Sequence, residues 1–517
     1  MTARPTRIFD AGRWLLGAVV ALAVFRLWFA AALPMTGDEA YFVTWGALPA
    51  GGYYDHPPMV GWWLAALLAV GHAEWWLRLP SVLLPFVLAW CAWWLLRQAE
   101  DRHGENAERS LLAALLTLLQ PADVWNVLIT TDTPVVYLSL ASVLVYVLAQ
   151  RRASLPLHAL AGLLLGMAFL GKYFAALLGF AFAAHFLFVR RDRSRWLHFA
   201  VLTALALIGP AYNLWWNSSH CWVNILFNFF NRTSKTGFEW QNPLLFLVIV
   251  SYLATPWVLW SLWQKRCEVK SALSSDVLRA SLWLGGVPLL IFFAMSFMRS
   301  VGLHWLLAFM PLLAVVAAGA LPVVTLRQLV RWSAVFAVLH VVFVVVVLNL
   351  PISVWKQASI YPGVVFTWRA SAIEKQLREP LARCGEGCTL AMEGYSSAAI
   401  LAYATGRQVS VFRDGSRFGR QDDFDTDMRA LDGRDFVVLR KEPVEDEAYV
   451  PYFERVEYAS FELDGVAFNV IHAQGFKYPV YRERMLTRVK DHYYRFPAWL
   501  PQRGCPFTDR YFPEGGK

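Results

Sequence analysis

Acids, bases and cations fall at a few points between long apolar runs. The first is Gly37-Asp38-Glu39-Ala40-Tyr41, directly after the first run, where adjacent carboxylates offer a general base or an electrostatic stabiliser. The second is Tyr53-Tyr54-Asp55-His56-Pro57-Pro58, a carboxylate and an imidazole beside two phenols. The third is Thr130-Thr131-Asp132-Thr133-Pro134, opening another apolar run, and the fourth is Lys172-Tyr173 between two such runs. Arg299 and His304-Trp305 stand at the mouth of a late run. Asp38, with Glu39 beside it, is the candidate catalytic carboxylate. Tyr54, Asp55, His56, Asp132, Lys172, Arg299 and His304 are the candidate contacts to donor phosphate or substrate. A lipid phosphate needs cations and an acceptor hydroxyl needs a base, so the set suits group transfer from a lipid-phosphate carrier. Each motif alone has a plainer explanation: Asp38 and Asp132 as helix caps, Pro57-Pro58 as a rigid turn, Lys172 as a snorkelling anchor.

Asp38, Glu39, Asp55, His56 and His304 also include donors suited to Zn²⁺, or to Mg²⁺ if mainly carboxylate, although no tight ligand spacing requires a metal. No Walker loop and no G-x-G-x-x-G after a strand is present, so no nucleotide site is expected. Asp422, Asp423, Asp425 and Asp427 read as a solvated acidic loop. Of six cysteines, Cys384 and Cys388 lie close together in Cys-Gly-Glu-Gly-Cys. They could form a disulfide, remain thiols, or serve as half of a metal site.

The elements that must position these groups are mostly membrane helices. The chain has 517 residues, 57% hydrophobic and 16% charged. Soluble domains run nearer 45–50% and about 25%. An ordinary soluble enzyme throughout, a disordered chain and an outer-membrane barrel are excluded. Charge is uneven. Residues 352–517 carry 23 Lys+Arg and 23 Asp+Glu, so the net +9 belongs entirely to residues 1–351. That excess fits basic membrane loops and is no signal for nucleic acid.

About eleven spans are expected, near 12–34, 76–97, 109–128, 133–150, 154–171, 173–189, 196–216, 243–263, 281–298, 305–325 and 333–351. The first reads as a membrane helix and not as a cleaved signal peptide. Basic loops around Arg4–Arg13, Arg97–Arg109, Arg151–Arg152, Arg190–Arg195, Lys265–Arg279 and Arg327–Arg331 mark the cytoplasmic side. The opposite loops hold only Arg78, Lys172, Arg232, Lys235 and Arg299 among basic residues, together with Asp38, Glu39, Asp55, Glu74, Asp123, Asp132 and Glu239. Carboxylates clustered near a bilayer are costly and call for a reason.

Two domains are expected: 1–351 in the membrane, with a first outer loop at 35–75, and a soluble α/β domain at 352–517 in the periplasm. Within the loop, Pro58–Gly71 suits a helix lying at the interface, and 217–242 suits a second interfacial segment. In the polar part, Thr389–Met392, Gln408–Phe412 and Asp435–Leu439 read as strands and Ser396–Tyr403 as a helix. Val456–Leu463 and Val466–Ala473 read as a hairpin closed by Asp464-Gly465 in a type I′ turn.

Asp38-Glu39-Ala40-Tyr41, Tyr53 to Pro58, Leu77-Arg78-Leu79-Pro80-Ser81, Thr131-Asp132-Thr133-Pro134 and Gly171-Lys172-Tyr173 occur in that order. The ordered set resembles the bacterial protein-mannosyltransferase-like branch of the GT-C glycosyltransferases, a group that includes the aminoarabinose transferases of lipid A. The resemblance covers the first 175 residues by motif and the whole chain by layout. It implies a multi-pass inner-membrane hexosyl- or pentosyltransferase. Such an enzyme moves a sugar, with inversion, from a polyprenyl-phosphate donor to lipid A or another envelope glycolipid on the periplasmic side. It implies Asp38 as the catalytic acid residue of the first loop. The lipid A transferases carry Glu-Lys where Asp55-His56 stands here, which leaves Lys172 to supply a fixed cation. A protein Ser/Thr acceptor is the alternative. A lipid-linked sugar transporter would call for internal repeats that the sequence lacks.

Overall fold

The computed structural model describes residues 10–99, 104–190, 192–231, 237–412, 420–441, 448–497 and 499–513. Arg4, Arg7, Arg102, Arg191, Arg232 and Lys235, which entered the charge asymmetry, lie outside the described residues. The chain divides into two compact units. One comprises 1–33, 72–212 and 236–349; the other comprises 34–71, 213–235 and 350–517. Hydropathy alone draws a single boundary at 351/352. The structure groups the first loop and the 213–235 segment with the C-terminal residues, because a contact map follows packing and hydropathy follows sequence.

In the first unit, long apolar runs become long helices, even where a proline such as Pro85 or Pro288 lies inside them. Among the described residues six helices are long and apolar enough to cross a membrane: Ala11–Ala32, Glu74–Arg97, Asp132–Arg152, Arg195–Ser218, Asp276–Ser296 and Val323–Asn349. The remaining expected spans are shorter or broken. Residues 109–128 divide into Asn106–Leu118 and Pro121–Trp125, with Pro121 opening the second piece. The span expected over 243–263 is bent: Gln241–Ala254 and Pro256–Gln264 are apolar enough together but meet at 92°. Pro256 has no N–H for the preceding helix, and Thr255 before it turns to φ +65°. Leu155–Phe169, Tyr173–Phe188 and Met310–Ala320 are apolar helices of 10–17 residues.

Two buried arginines pin this unit. Arg26, fully buried, donates to the carbonyls of Val82 (3.1 Å), Val124 (3.2 Å) and Asn126 (2.7 Å) and to those of Ser81 and Asp123. Arg78 donates to Ala30 (2.8 Å) and Leu33 at the end of the first helix, satisfying carbonyls the helix leaves open. Ser81 Oγ lies 3.0 Å from Thr133 Oγ1. The Leu77–Ser81 motif is thereby a structural clasp.

The second unit is built on a five-stranded sheet. The strands are β1 (Thr389–Met392), β2 (Ser410–Val411), β3 (Phe436–Arg440), β4 (Arg455–Leu463) and β5 (Val466–Gln474), in the order β2-β1-β3-β5-β4. β1 runs parallel to β2 and β3, while β5 runs antiparallel to β3 and β4. The hairpin is as expected: Asp464 (φ +50°) and Gly465 (φ +79°) both take the left-handed values of a type I′ turn. Under the sheet lies an aromatic core that includes Phe412, Phe436, Tyr449, Phe453, Phe476 and Tyr481. Met59–Leu68 is the helix expected within 58–71.

Two disulfides hold this unit. Cys384–Cys388 closes the short loop after the Ala370–Cys384 helix, where Gly385 and Gly387 (φ +87° and +93°) provide left-handed steps. Of the three readings of that pair, the structure has the disulfide. Cys221–Cys505 joins residues 284 apart and was not foreseen. Backbone bonds flank it, from Arg503 N to Ser218 O (2.7 Å) and from Cys221 N to Gly504 O (3.3 Å).

Candidate functional site

The carboxylate cluster lies in the second unit. Thr36 and Glu39 form a capping box that starts the Gly37–Ala47 helix, with Thr36 Oγ1 donating to Glu39 Oε2 at 3.0 Å. Glu39 is fully buried, so it serves the fold, and Asp38 beside it is exposed. One turn along the same helix is Tyr41, on the face of Asp38 by the helical repeat.

Asp55, 5% exposed, is met by three elements. Arg420 Nη1 lies 2.8 Å from its Oδ2. The Tyr41 hydroxyl lies 3.5 Å from its Oδ1, and Asn228 Nδ2 donates to its carbonyl at 3.0 Å. The Arg420 guanidinium also rests over the Tyr395 ring (4.1 Å to the centroid) and the Phe227 ring (5.0 Å). Tyr395 opens the Tyr395–Thr405 helix and donates its hydroxyl to Asp38 Oδ1 at 3.3 Å. The Tyr41 and Tyr395 rings meet edge to face at 4.9 Å. Next to Arg420, Gln421 N donates to the Tyr41 hydroxyl (3.0 Å), and Gln421 Oε1 accepts from Tyr54 N (2.9 Å). The result is a closed ring, Tyr395–Arg420–Asp55–Tyr41, with Asp38 bonded to it by Tyr395.

Its electrostatics follow from burial. Burial pushes the Asp55 carboxyl above its ordinary range, Arg420 pulls it back, and Asp38 pushes it up again. Burial, then the charge of Asp38, raises the Tyr395 phenol to about 12. Tyr41 is raised by burial and then by Asp55, so these phenols are donors at neutral pH.

The helix Tyr395–Thr405 approaches Gly37 closely. A Cβ on Gly37 would lie 1.7 Å from Ser396 Oγ. Glycine is what lets Tyr395 reach Asp38.

The segment that delivers Arg420 and Gln421 is held by the acidic run expected to be solvated. Of Asp422, Asp423 and Asp425, Asp422 and Asp423 are half-buried and only Asp425 is exposed. Asp422 accepts from Val411 N (3.2 Å) and Thr426 Oγ1 (3.1 Å), and Asp423 accepts from the Tyr494 hydroxyl (2.7 Å). The expectation fails because these acids cap a turn against the sheet. Burial, then Asp423, pushes Asp422 up to about 8.

The cation cluster lies in the first unit. Asp132 opens the Asp132–Arg152 helix, and Lys172 Nζ reaches both its oxygens, at 2.9 and 3.0 Å. His304 Nε2 lies 3.7 Å from the same carboxylate, with its side chain 51% exposed. Lys172 and Arg299 each stand about 6 Å from the Trp305 ring, at 6.0 and 5.9 Å. Lys172 and His304 thus meet one carboxylate, and Lys172 and Arg299 share the Trp305 ring, cations able to take a phosphate.

The sequence-derived residues therefore assemble in two groups. Asp38, Glu39, Tyr54, Asp55 and His56 form one, and Asp132, Lys172, Arg299 and His304 the other. Asp55 and His56 do not fit a shared metal. The carboxylate of Asp55 goes to Arg420, and the His56 ring packs near Trp45 and Phe42, with centroids at 6.2 and 6.3 Å. No group of three or more His, Cys, Asp or Glu placed to hold a metal occurs among the described residues. Arg420 and Tyr395 escaped sequence reasoning. The only hint was an arginine-rich run, Arg413, Arg417 and Arg420.

The apolar helices fit a multi-pass membrane protein, and the fold is of the GT-C type. The model of the dolichyl-phosphate-mannose-protein mannosyltransferase family matches residues 55–216. Lipid A galacturonosyltransferase RgtD of Rhizobium johnstonii is 29% identical over 185 residues, or 35% of this chain and 38% of that relative. The aligned part thus spans well under half of the curated relative. ArnT from Cupriavidus metallidurans, whose crystal structure was determined bound to undecaprenyl phosphate, shares the fold. Its TM-score is 0.60 at 15% identity, covering 89% of this chain and 98% of ArnT. These similarities bear out the resemblance drawn from the motifs to GT-C glycosyltransferases of the lipid A-modifying and protein-mannosyltransferase-like kind.

Proposed function

We propose that this chain is a membrane glycosyltransferase that moves a sugar from a polyprenyl-phosphate donor to lipid A or a related envelope glycolipid, with inversion. The observation that carries this reading is Asp38: an exposed carboxylate fixed by Tyr395 and set beside a buried, arginine-paired Asp55. The name of the galacturonosyltransferase relative supports the choice of lipid A over a protein acceptor.

The acceptor oxygen attacks the anomeric carbon, and the bond from that carbon to the phosphate oxygen breaks. Polyprenyl phosphate leaves as an anion and needs little acid help. If the acceptor is a hydroxyl, Asp38 takes its proton, a contribution of about 10²–10⁴-fold. If it is a phosphate, already ionised, Asp38 orients it or stabilises positive charge at the sugar ring. Lys172, Arg299 and His304 are assigned to the donor phosphate, with Asp132 holding Lys172 in place.

The periplasmic face is assigned to the unit that carries Asp38. Both disulfides lie in that unit, and disulfides persist in oxidising compartments. The unpaired Cys91 and Cys267 lie in the other unit. The test is transfer of radiolabelled sugar from polyprenyl phosphate in proteoliposomes carrying lipid A. Wild-type protein transfers label, and Asp38→Asn binds donor lipid without transferring. Full activity in Asp38→Asn overturns the assignment of Asp38.

A further inference from the structure

We propose that Arg420 is a positioning residue for this reaction, acting on Asp38 through Asp55 and Tyr395. The inference rests on the transferase reading above and gives the C-terminal residues a part in it.

Arg420 is the one described cation in contact with the carboxylate cluster of its unit, and it makes three contacts at once: the Asp55 ion pair and the faces of Tyr395 and Phe227. The planar guanidinium suits both tasks, pairing with a carboxylate edge-on and stacking on an aromatic face. Its side chain is 14% exposed and that of Asp55 7%, so solvent screens the pair little. Tyr395, held under Arg420, is the residue that bonds Asp38.

The groups that face Asp55 come from every neighbouring element. Asp38 and Tyr41 belong to the Gly37–Ala47 helix, Tyr54 and His56 are its chain neighbours, Tyr395 comes from the next helix, and Arg420 follows. Phe227 and Asn228 of the 223–231 segment are uncharged. Asp38 pushes Asp55 toward the protonated form, as does burial, and Arg420 alone opposes them with a positive charge. Arg420 therefore favours the ionised form of Asp55. An ionised Asp55 consumes the guanidinium charge, which leaves Asp38 as the uncompensated carboxylate of the cluster. Without Arg420, Asp55 protonates at a higher pH, the Tyr395 ring loses its support, and Asp38 loses its fixed hydrogen bond.

Loss of a purely structural ion pair would lower stability and nothing else. The positioning role makes a different demand on pH. In proteoliposomes, Arg420→Gln shifts the acid limb of the kcat profile upward by about 1–3 pH units, the range by which an arginine ordinarily depresses a neighbouring aspartate. Arg420→Lys keeps the limb near its wild-type position. An acid limb unmoved in Arg420→Gln overturns the proposal, whatever the height of the plateau.

Stability gives a readout that does not depend on transfer. The Tm deficit of Arg420→Gln shrinks as the pH falls, because a protonated Asp55 no longer needs the guanidinium. Asp55→Asn in the same chain removes most of the deficit. Should Arg420→Gln fail to accumulate, recovery of folded protein in the Asp55→Asn/Arg420→Gln double variant supports the coupling, and a double variant equally unstable overturns it. A wild-type protein without transferase activity sinks the functional reading, while the Tm cycle still decides whether Arg420 and Asp55 are coupled.

Discussion

Tyr395 donates its hydroxyl to Asp38 across 3.3 Å although the two residues are 357 positions apart. The carboxylate proposed to act on the acceptor is thereby oriented by a residue from the far end of the chain. Removing that hydroxyl leaves the ring and its packing. Tyr395→Phe is expected to lower kcat about 10-fold, in line with loss of one hydrogen bond to a charged group at about 1.5 kcal/mol. The donor KM stays the same. Steady-state kinetics at saturating acceptor read the split, and an unchanged kcat removes Tyr395 from the site.

Gly37 fixes how near that tyrosine can come. A methyl group there meets Ser396 Oγ at 1.7 Å, and turning the hydroxyl away still leaves Ser396 Cβ at 3.0 Å. Gly37→Ala is expected to cost about 1–3 kcal/mol of stability through overpacking and to reduce kcat more than Tyr395→Phe. The paired change Gly37→Ala with Ser396→Gly restores both in part. Thermal unfolding and initial rates on the three variants check the claim, and a Gly37→Ala protein with wild-type Tm and kcat contradicts it.

The local motifs made much of this legible. Gly37 to Tyr41 and Tyr53 to Pro58 carry their chemistry within a few residues, and Thr36 with Glu39 is a capping box readable by eye. The sheet was equally accessible, since β1 falls on Thr389–Met392 and the Asp464-Gly465 turn follows from residue preference. Arg420 was not readable: Asp55 finds it 365 residues away, and no periodicity encodes that meeting. Cys221 and Cys505 pose the same problem. The bend at Thr255 was visible only as Pro256, and hydropathy outweighed it.

Lys172 and Asp132 make a second kind of prediction. The lysine spans both carboxylate oxygens at 2.9 and 3.0 Å, with side chains 11% and 10% exposed. Lys172→Ala is expected to raise the donor KM at least 10-fold, as loss of a charge-assisted bond of about 1.5–3 kcal/mol implies. Asp132→Asn releases the ammonium for phosphate, so its donor Kd falls or holds while its Tm drops. Binding of polyprenyl phosphate to each purified variant decides the matter. An unchanged KM and kcat in Lys172→Ala would make the lysine an anchor.

Asp422 sets a pH dependence for the segment that delivers Arg420. Its folded-state pKa, about 8, lies above the ordinary aspartate value near 3.9. The folded state therefore binds more protons than the unfolded state between those values. The stability this group contributes is complete below about pH 4 and is lost as the pH rises through 8. Asp423, pushed by burial up to about 6, acts in the same direction. The Tm at pH 5.5 is expected to exceed that at pH 8.5, and Asp422→Asn narrows the difference. A difference that the substitution leaves intact assigns the effect to other groups.

The cysteines test which face each unit occupies. Cys267 is exposed and unpaired, next to Lys265 and Arg266 in a basic loop. A membrane-impermeant maleimide added to intact spheroplasts should leave it unlabelled, and should label it once the inner membrane is opened. Cys221 and Cys505 should stay unlabelled in both cases until a reductant is added. Reduction also removes the constraint on a loop of 284 residues, which is worth about 2–5 kcal/mol in small secreted domains. The cost here falls at the lower end, because Arg503 N still bonds Ser218 O and Trp222 Nε1 still bonds the Pro501 carbonyl at 3.1 Å. Labelling of Cys267 from outside intact spheroplasts would reverse the proposed orientation and place Asp38 on the cytosolic side, where no polyprenyl-linked sugar transfer of the proposed kind would reach it.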